Sequence, residues 1–272
     1  VTAPLVNILV AHWLEAKPLV RQLGLRQQSG KPHRLFGNDQ GVALLVAGHG
    51  KQAMAAGVGY LAGLQQMQGP SPAWLNIGIA GHGSAEVGAG FLINKVEERL
   101  TGQVYYPTPG LWSGPGSTLV TVDLPETEYP GDEAYDMEGA AFWVAANHYG
   151  VLDLLQLFKV ISDNPRQDVS QFSPEQVADL MNMQHEAVTA IVAELQDRAN
   201  SYQRRHAMPA AFTNLIQRLH FTATQRTQLR SLFRRWDAYG RQQDLEYLVA
   251  DYRGDARSLL AELELKLTAE KA

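Results

Sequence analysis

Three carboxylates, Glu15, Glu138 and Asp163, occupy positions suited to general acid–base chemistry. Glu15 and Asp163 each follow a short apolar run of strand character, and Glu138 opens a run with helical spacing. They belong to five segments: Ala11-His12-Trp13-Leu14-Glu15, Ala47-Gly48-His49-Gly50-Lys51, Asn76-Ile77-Gly78-Ile79-Ala80-Gly81-His82-Gly83, Tyr135-Asp136-Met137-Glu138-Gly139-Ala140-Ala141 and Ser162-Asp163-Asn164. Each alone has a plain explanation. The glycines serve tight strand-to-helix turns, Glu138 suits the positive end of a helix, and Asp163 suits a cap or turn. The glycine pattern is neither a dinucleotide fingerprint, which needs an acidic residue about twenty positions on, nor a P-loop. His12, His49 and His82 lack the i,i+4 pairing of metal ligands. With no cysteine in the chain there is no thiolate nucleophile or ligand, and neither metal nor cofactor is expected.

The elements that must position these residues follow from the apolar pattern. Leu5–Ala11, Val42–Ala47, Trp74–Ile79, Phe91–Val96, Thr118–Val122 and Leu154–Ile161 read as buried strands. Helical spacing runs through Glu15–Leu23, Gln52–Met67, Glu138–His148 and Pro174–Leu195, the last capped by Ser173. Such alternation predicts an α/β fold, a central mixed β-sheet flanked by helices, with ligands gathered where strands end. Thr101–Pro130, rich in Gly, Pro, Ser, Thr and Tyr around the apolar Thr118–Val122 run, reads as a long connection of the kind that forms lids and binding loops. After residue 200 the composition turns to Arg, Gln, Leu and Ala, with amphipathic spacing over Thr224–Trp236, Leu245–Tyr252 and Ala256–Leu267. The expected organisation is therefore a catalytic domain over 1–200 and an all-helical C-terminal appendage over 201–272.

A net charge of −5 gives no general attraction for nucleic acid, although residues 200–272 hold 12 basic against 8 acidic side chains. The tail arginines, among them Arg204, Arg218, Arg226, Arg230, Arg234 and Arg235, alternate with Leu and Phe and read as solvated helix faces, so nucleic acid is not expected as a partner. Leu5–Ala11 has no basic leader, and no stretch reaches the ~20 apolar residues that span a bilayer. A soluble cytoplasmic protein is the expectation.

In combination the five segments are more specific than any one. Over about residues 5–198 the chain resembles the nucleoside phosphorylase superfamily, and is most similar to the methylthioadenosine/S-adenosylhomocysteine nucleosidases. The resemblance rests on the Ala11…Glu15 segment, the Gly48-His49-Gly50-Lys51 turn, the Asn76-to-Gly81 segment, Asp136-Met137-Glu138-Gly139-Ala140-Ala141, and Ile161-Ser162-Asp163, in the family's order. It implies hydrolysis of the N-glycosidic bond of a purine nucleoside, an adenosine-derived thioether or a relative. Cleavage of that bond passes through a sugar of oxocarbenium character and requires an acid for the base, partners for the ribose and a base for water. By resemblance Asp163 protonates the purine at N7 and Glu15 deprotonates the attacking water. Glu138 accepts hydrogen bonds from the ribose and Met137 packs against the sugar. Asn76, Gly78, Ala80, Gly81 and Ser162 complete the substrate-binding set. A homodimer is also implied.

The phosphorylase branch of the superfamily commonly carries Arg and Ser in the segment equivalent to Asn76–Gly81, because a phosphate dianion needs a forked cation. This chain has Asn76 and Ile79 there, and Glu15 faces the nucleophile, so water is preferred. Two alternatives stand beside it: a phosphate-dependent phosphorylase, and a nucleoside-binding or assembly protein of the same fold with impaired catalysis. The departures behind the last are Ile79 in place of the family's Ser, Lys159 in place of Arg, and Pro125 near the place of the purine-stacking ring. Tyr105, Tyr106 or Trp112 would then supply the ring.

Overall fold

The computed structural model describes residues 4–65, 71–167 and 173–268. The chain divides into two compact units, Val1–Arg205 and His206–Ala272. The first is α/β. Its sheet contains ten strands: β1 (Val6–Val10), β2 (Arg26–Ser29), β3 (Arg34–Gly37), β4 (Val42–Val46), β5 (Ala73–His82), β6 (Gly90–Glu98), β7 (Gln103–Tyr105), β8 (Gly116–Thr121), β9 (Ala134–Asp136) and β10 (Leu155–Asp163). Among the described residues five α-helices accompany it: α1 (Trp13–Gln22), α2 (Lys51–Leu64), α3 (Gly139–Asn147), α4 (Pro174–Met183) and α5 (His185–His206).

The strands β2-β3-β4-β1-β5 form an open array, parallel at β4-β1-β5 and antiparallel at its polar edge. Beyond β5 the sheet closes on itself through β10, β6, β8 and β9, which returns to pair with the end of β5. Side chains of β1 alternate between two cores. Val6, Ile8 and Val10 meet α1, α4 and α5 on one face, and Leu9 meets Met54, Val58 and Leu61 of α2 with Phe142 and Trp143 of α3 on the other. Burial on both faces is why these strands read as continuous apolar runs.

Several expected elements differ. The single helix predicted over Pro174–Leu195 is two, because the chain turns at Gln184, whose amide donates to the Gly88 carbonyl at 2.7 Å. The C-terminal end of the predicted Gln52–Met67 helix lies outside the described residues, and α2 ends at Leu64. The strands β2, β3, β7 and β9 are short, and β2 is also polar, so neither alternation nor apolar run announced them.

The second unit contains α6 (Ala210–Arg218), α7 (Ala223–Ala238), α8 (Gln242–Ala250) and α9 (Ala256–Thr268). Phe212, Leu229, Phe233, Trp236, Leu245, Val249, Leu259 and Leu263 form its core. Arg218 donates to the carbonyls of Val249, Ala250 and Tyr252 at the end of α8, and Arg235 makes a forked bond to Glu264. These two arginines are thus engaged within the unit. No described helix in either unit is long and apolar enough to cross a membrane.

Candidate functional site

The three carboxylates converge at the carboxyl ends of β5 and β10. These strands run parallel in a register that sets Lys159 opposite Gly78 and, after a bulge, Asp163 opposite Gly81. Such a bulge re-aims the side chain beyond it. Three residues of strand separate the two levels by about 10 Å.

At the lower level Glu15, in the first turn of α1, reaches across to β5. Its Oε2 accepts from the His12 amide at 2.8 Å, closing a capping box, and its Oε1 accepts from the Ile79 amide at 3.0 Å. Gly78 makes the approach possible, since a Cβ there would stand 2.9 Å from Glu15 Oε1 and 3.6 Å from Lys159 Nζ. Glu138 precedes α3 and accepts from the Gly50 amide at 2.6 Å, which binds the start of α2 to the site. Lys159 lies among these acids with only 2% of its side chain exposed, paired with Asp136 at 2.9 Å. Asp136 is further held by the Thr121 hydroxyl at 2.7 Å and the Gly139 amide at 2.8 Å.

Three carboxylates and one ammonium thus share a poorly solvated space. Burial pushes Glu15 above the usual carboxylate range, against the opposing pull of the Ile79 and His12 amides and the Lys159 and His49 charges. Burial also raises Glu138, with the Asp136 charge adding to the effect and Lys159 opposing it.

At the upper level Asp163 is buried and accepts from two hydroxyls, Ser162 on one oxygen and Tyr129 on the other. Tyr129 lies in the segment between β8 and β9, at a φ of 49° that side chains other than glycine rarely adopt, with its ring edge-on to Tyr135 at 5.8 Å. A Cβ on Gly81 would come within 2.6 Å of the Tyr129 ring and 2.7 Å of Asp163 Oδ2, so glycine is what lets ring and carboxylate close over the strand. Met137 packs beside Tyr135 and Val120, half-buried.

No family model matches the chain, and no curated protein matches it. Solved structures do. The 5′-methylthioadenosine nucleosidase of Arabidopsis thaliana in apo form is 18% identical, with a TM-score of 0.57 over 71% of this chain and 96% of that one. The 5′-methylthioadenosine/S-adenosylhomocysteine nucleosidase of Helicobacter pylori, solved with butyl-thio-DADMe-Immucillin-A, is 13% identical with a TM-score of 0.58 over 71% and 100% of the two chains. The futalosine hydrolase of Helicobacter pylori strain 26695 is 13% identical with a TM-score of 0.57 over 70% and 97%. The chain has the nucleoside phosphorylase-like fold.

Within this nucleoside phosphorylase-like fold, Glu15, Gly78, Glu138, Met137, Ala80, Gly81, Ser162 and Asp163 all belong to the strand ends and helix starts just described. Asn76 lies deeper. It is 1% exposed, and its amide donates to the Leu9 carbonyl at 3.1 Å, bracing β5 against β1, while its Oδ1 has no hydrogen-bond partner among the described residues. Of the rings named for base stacking, Tyr105 packs on Trp143, Trp112 stands edge-on to Phe158, and Tyr106 is exposed. The ring beside Asp163 is Tyr129, which no spacing in the sequence singled out. Lys159 and Asp136 were likewise unassigned, although a lysine inside an apolar strand signals a buried partner.

Proposed function

We propose that the first unit hydrolyses the N-glycosidic bond of a purine nucleoside. The observation that carries this reading is the two-level arrangement: Glu15 and Glu138 bound to backbone amides at Ile79 and Gly50, and Asp163 about 10 Å further along the strand ends beneath an aromatic ring. In that order along the strand ends a purine would lie at Asp163 with its ribose at the carboxylate pair. Gly78, Ala80 and Gly81 let the main chain approach the ligand, with the Tyr129 ring moving off Gly81 to admit the base. Glu138 accepts hydrogen bonds from the ribose hydroxyls, and Met137 packs on the sugar.

In the reaction the C1′–N9 bond breaks with its electron pair passing to the base, and Asp163 gives its proton to N7. Water forms the new C1′–O bond and yields a proton to Glu15, whose charge also stabilises the oxocarbenium sugar. Ser162 orients Asp163, the task that the family's Ser performs at the place of Ile79. Lys159, paired with Asp136, offsets part of the repulsion between Glu15 and Glu138. A phosphate dianion near the same Lys159 would face Asp136, Glu15 and Glu138 together, which favours water as nucleophile.

The test is release of free base from methylthioadenosine, S-adenosylhomocysteine, adenosine, inosine and guanosine, with and without phosphate, in wild type and Asp163→Asn. The expected result is phosphate-independent release that falls about 10²–10⁴-fold in the variant. Release only with phosphate would make the protein a phosphorylase, and binding without release would make it a nucleoside-binding protein.

A further inference from the structure

The site has a third group of residues that the reaction above does not use. In the sheet Val10, Val46 and Arg34 lie side by side across β1, β4 and β3. Just beyond them His12 follows β1 and His49 follows β4, and the two imidazoles stack with centroids 5.0 Å apart and planes 28° from parallel. Arg34 lies over the Trp13 ring at 4.8 Å, and Trp13 is itself stacked on Phe36 at 5.5 Å. Among the described residues Arg34 has no carboxylate partner. Three groups that carry or accept positive charge therefore lie near one another. His12 is pushed below the usual histidine range by burial and by His49 and Arg34.

Their placement relative to the carboxylates is fixed by the backbone. The His12 amide is bound by Glu15, and the amide next to His49, that of Gly50, is bound by Glu138. Both rings thus adjoin the ribose level, whereas Asp163 and Tyr129 mark the base level beyond Gly81. On the proposed reading the part of the ligand that meets His12 and His49 is the end of the sugar away from the base, its 5′ side. His12 Nδ1 accepts from the Leu14 amide at 3.3 Å, which leaves Nε2–H as a donor. Arg34 offers a forked donor and His49 a second imidazole. Such a set is poorly matched to an alkyl thioether, which brings neither charge nor strong acceptors, and well matched to oxygens carrying negative charge.

We infer that this end of the site binds an oxyanion carried on the 5′ substituent of the nucleoside, a phosphate ester or a carboxylate, through Arg34, His49 and His12. The inference rests on the proposed nucleosidase reading for its orientation, but its ligand chemistry is testable apart from turnover. Adenosine, 5′-methylthioadenosine, adenosine 5′-monophosphate and adenosine 5′-carboxylate are compared by kcat/KM and, independently, by calorimetric Kd. Wild type, Arg34→Gln and His49→Leu are used, each with and without inorganic phosphate.

The expected result is a preference for one of the two anionic ligands over adenosine of about tenfold or more, and a fall of that preference ratio by about tenfold in each variant. The phosphate and carboxylate arms tell which oxyanion the site takes. If no ligand is turned over, the hydrolase reading fails while the binding ratio still decides the inference. Equal Kd for charged and uncharged ligands, a preference for the thioether, or ratios untouched in both variants would overturn it. Arg34-dependent stimulation of adenosine cleavage by free phosphate would also overturn it, by making the oxyanion a co-substrate.

Discussion

Tyr129 is the residue whose placement most changes how the candidate site is understood. Its hydroxyl donates to the oxygen of Asp163 nearest Gly81, on the side where a base would be protonated. A base that bonds to Asp163 must displace this donor, and a typical hydrogen bond is worth about 0.5–1.5 kcal/mol net. Tyr129→Phe keeps the ring and removes the competitor. The expected outcome is about tenfold tighter binding of a nucleoside, read as Kd by calorimetry. Weaker binding would mean that the hydroxyl contacts the ligand itself. Lys159 belongs to the same scale. Its ammonium is compatible with burial because Asp136 pairs with it and Glu15 and Glu138 lie close by, and it offsets part of the repulsion between those two carboxylates.

At the scale of elements, the strands β5 and β10 decide the geometry, and they do so through what they lack. Gly78 and Gly81 leave their positions on β5 without side chains, so Glu15, Lys159, Asp163 and Tyr129 close over bare backbone. In Gly81→Ala the added Cβ would stand 2.6 Å from the Tyr129 ring and 2.7 Å from Asp163 Oδ2, and one of the two must move. Displacement of a reacting group by about 1 Å costs about a hundredfold in rate. The variant is expected to lose turnover to about that extent while its circular dichroism and unfolding midpoint stay close to wild type, because the strain falls on side chains at the strand end. A large drop in stability with unchanged turnover per folded molecule would show that Gly81 serves the sheet alone. The first turns of α1 and α2 matter equally, since the His12 and Gly50 amides that helices leave unpaired are those that hold Glu15 and Glu138.

For the whole molecule, the second unit is held by its own core and its own polar contacts. Trp236 is fully buried and donates to the Leu263 carbonyl at 3.3 Å, and Arg218 ties α6 to the end of α8. A core of this kind supports independent folding, although domains below ~70–80 residues have only a few kcal/mol in hand. Residues 206–272 expressed alone are expected to show helical circular dichroism and a cooperative thermal transition, and Trp236→Ala to abolish that transition by removing about 3–5 kcal/mol of packing. A fragment without a transition would mean that the unit depends on the rest of the chain.

The sequence by itself determined the strand–helix alternation, the burial of β1 and the helical character of the tail. All of these are set by apolar periodicity or by residue type within a few positions. It did not determine β2 or β9, the break between α4 and α5, the hydroxyl that Tyr129 donates to Asp163, or the pairing of Lys159 with Asp136. Each depends on a partner far along the chain: Tyr129 and Asp163 are 34 residues apart in sequence, and Gln184 meets Gly88 across 96. Local propensity carries no record of such contacts. They exist because sheet register brings strand ends together, and burial then leaves each polar group to find whatever partner the fold has placed beside it.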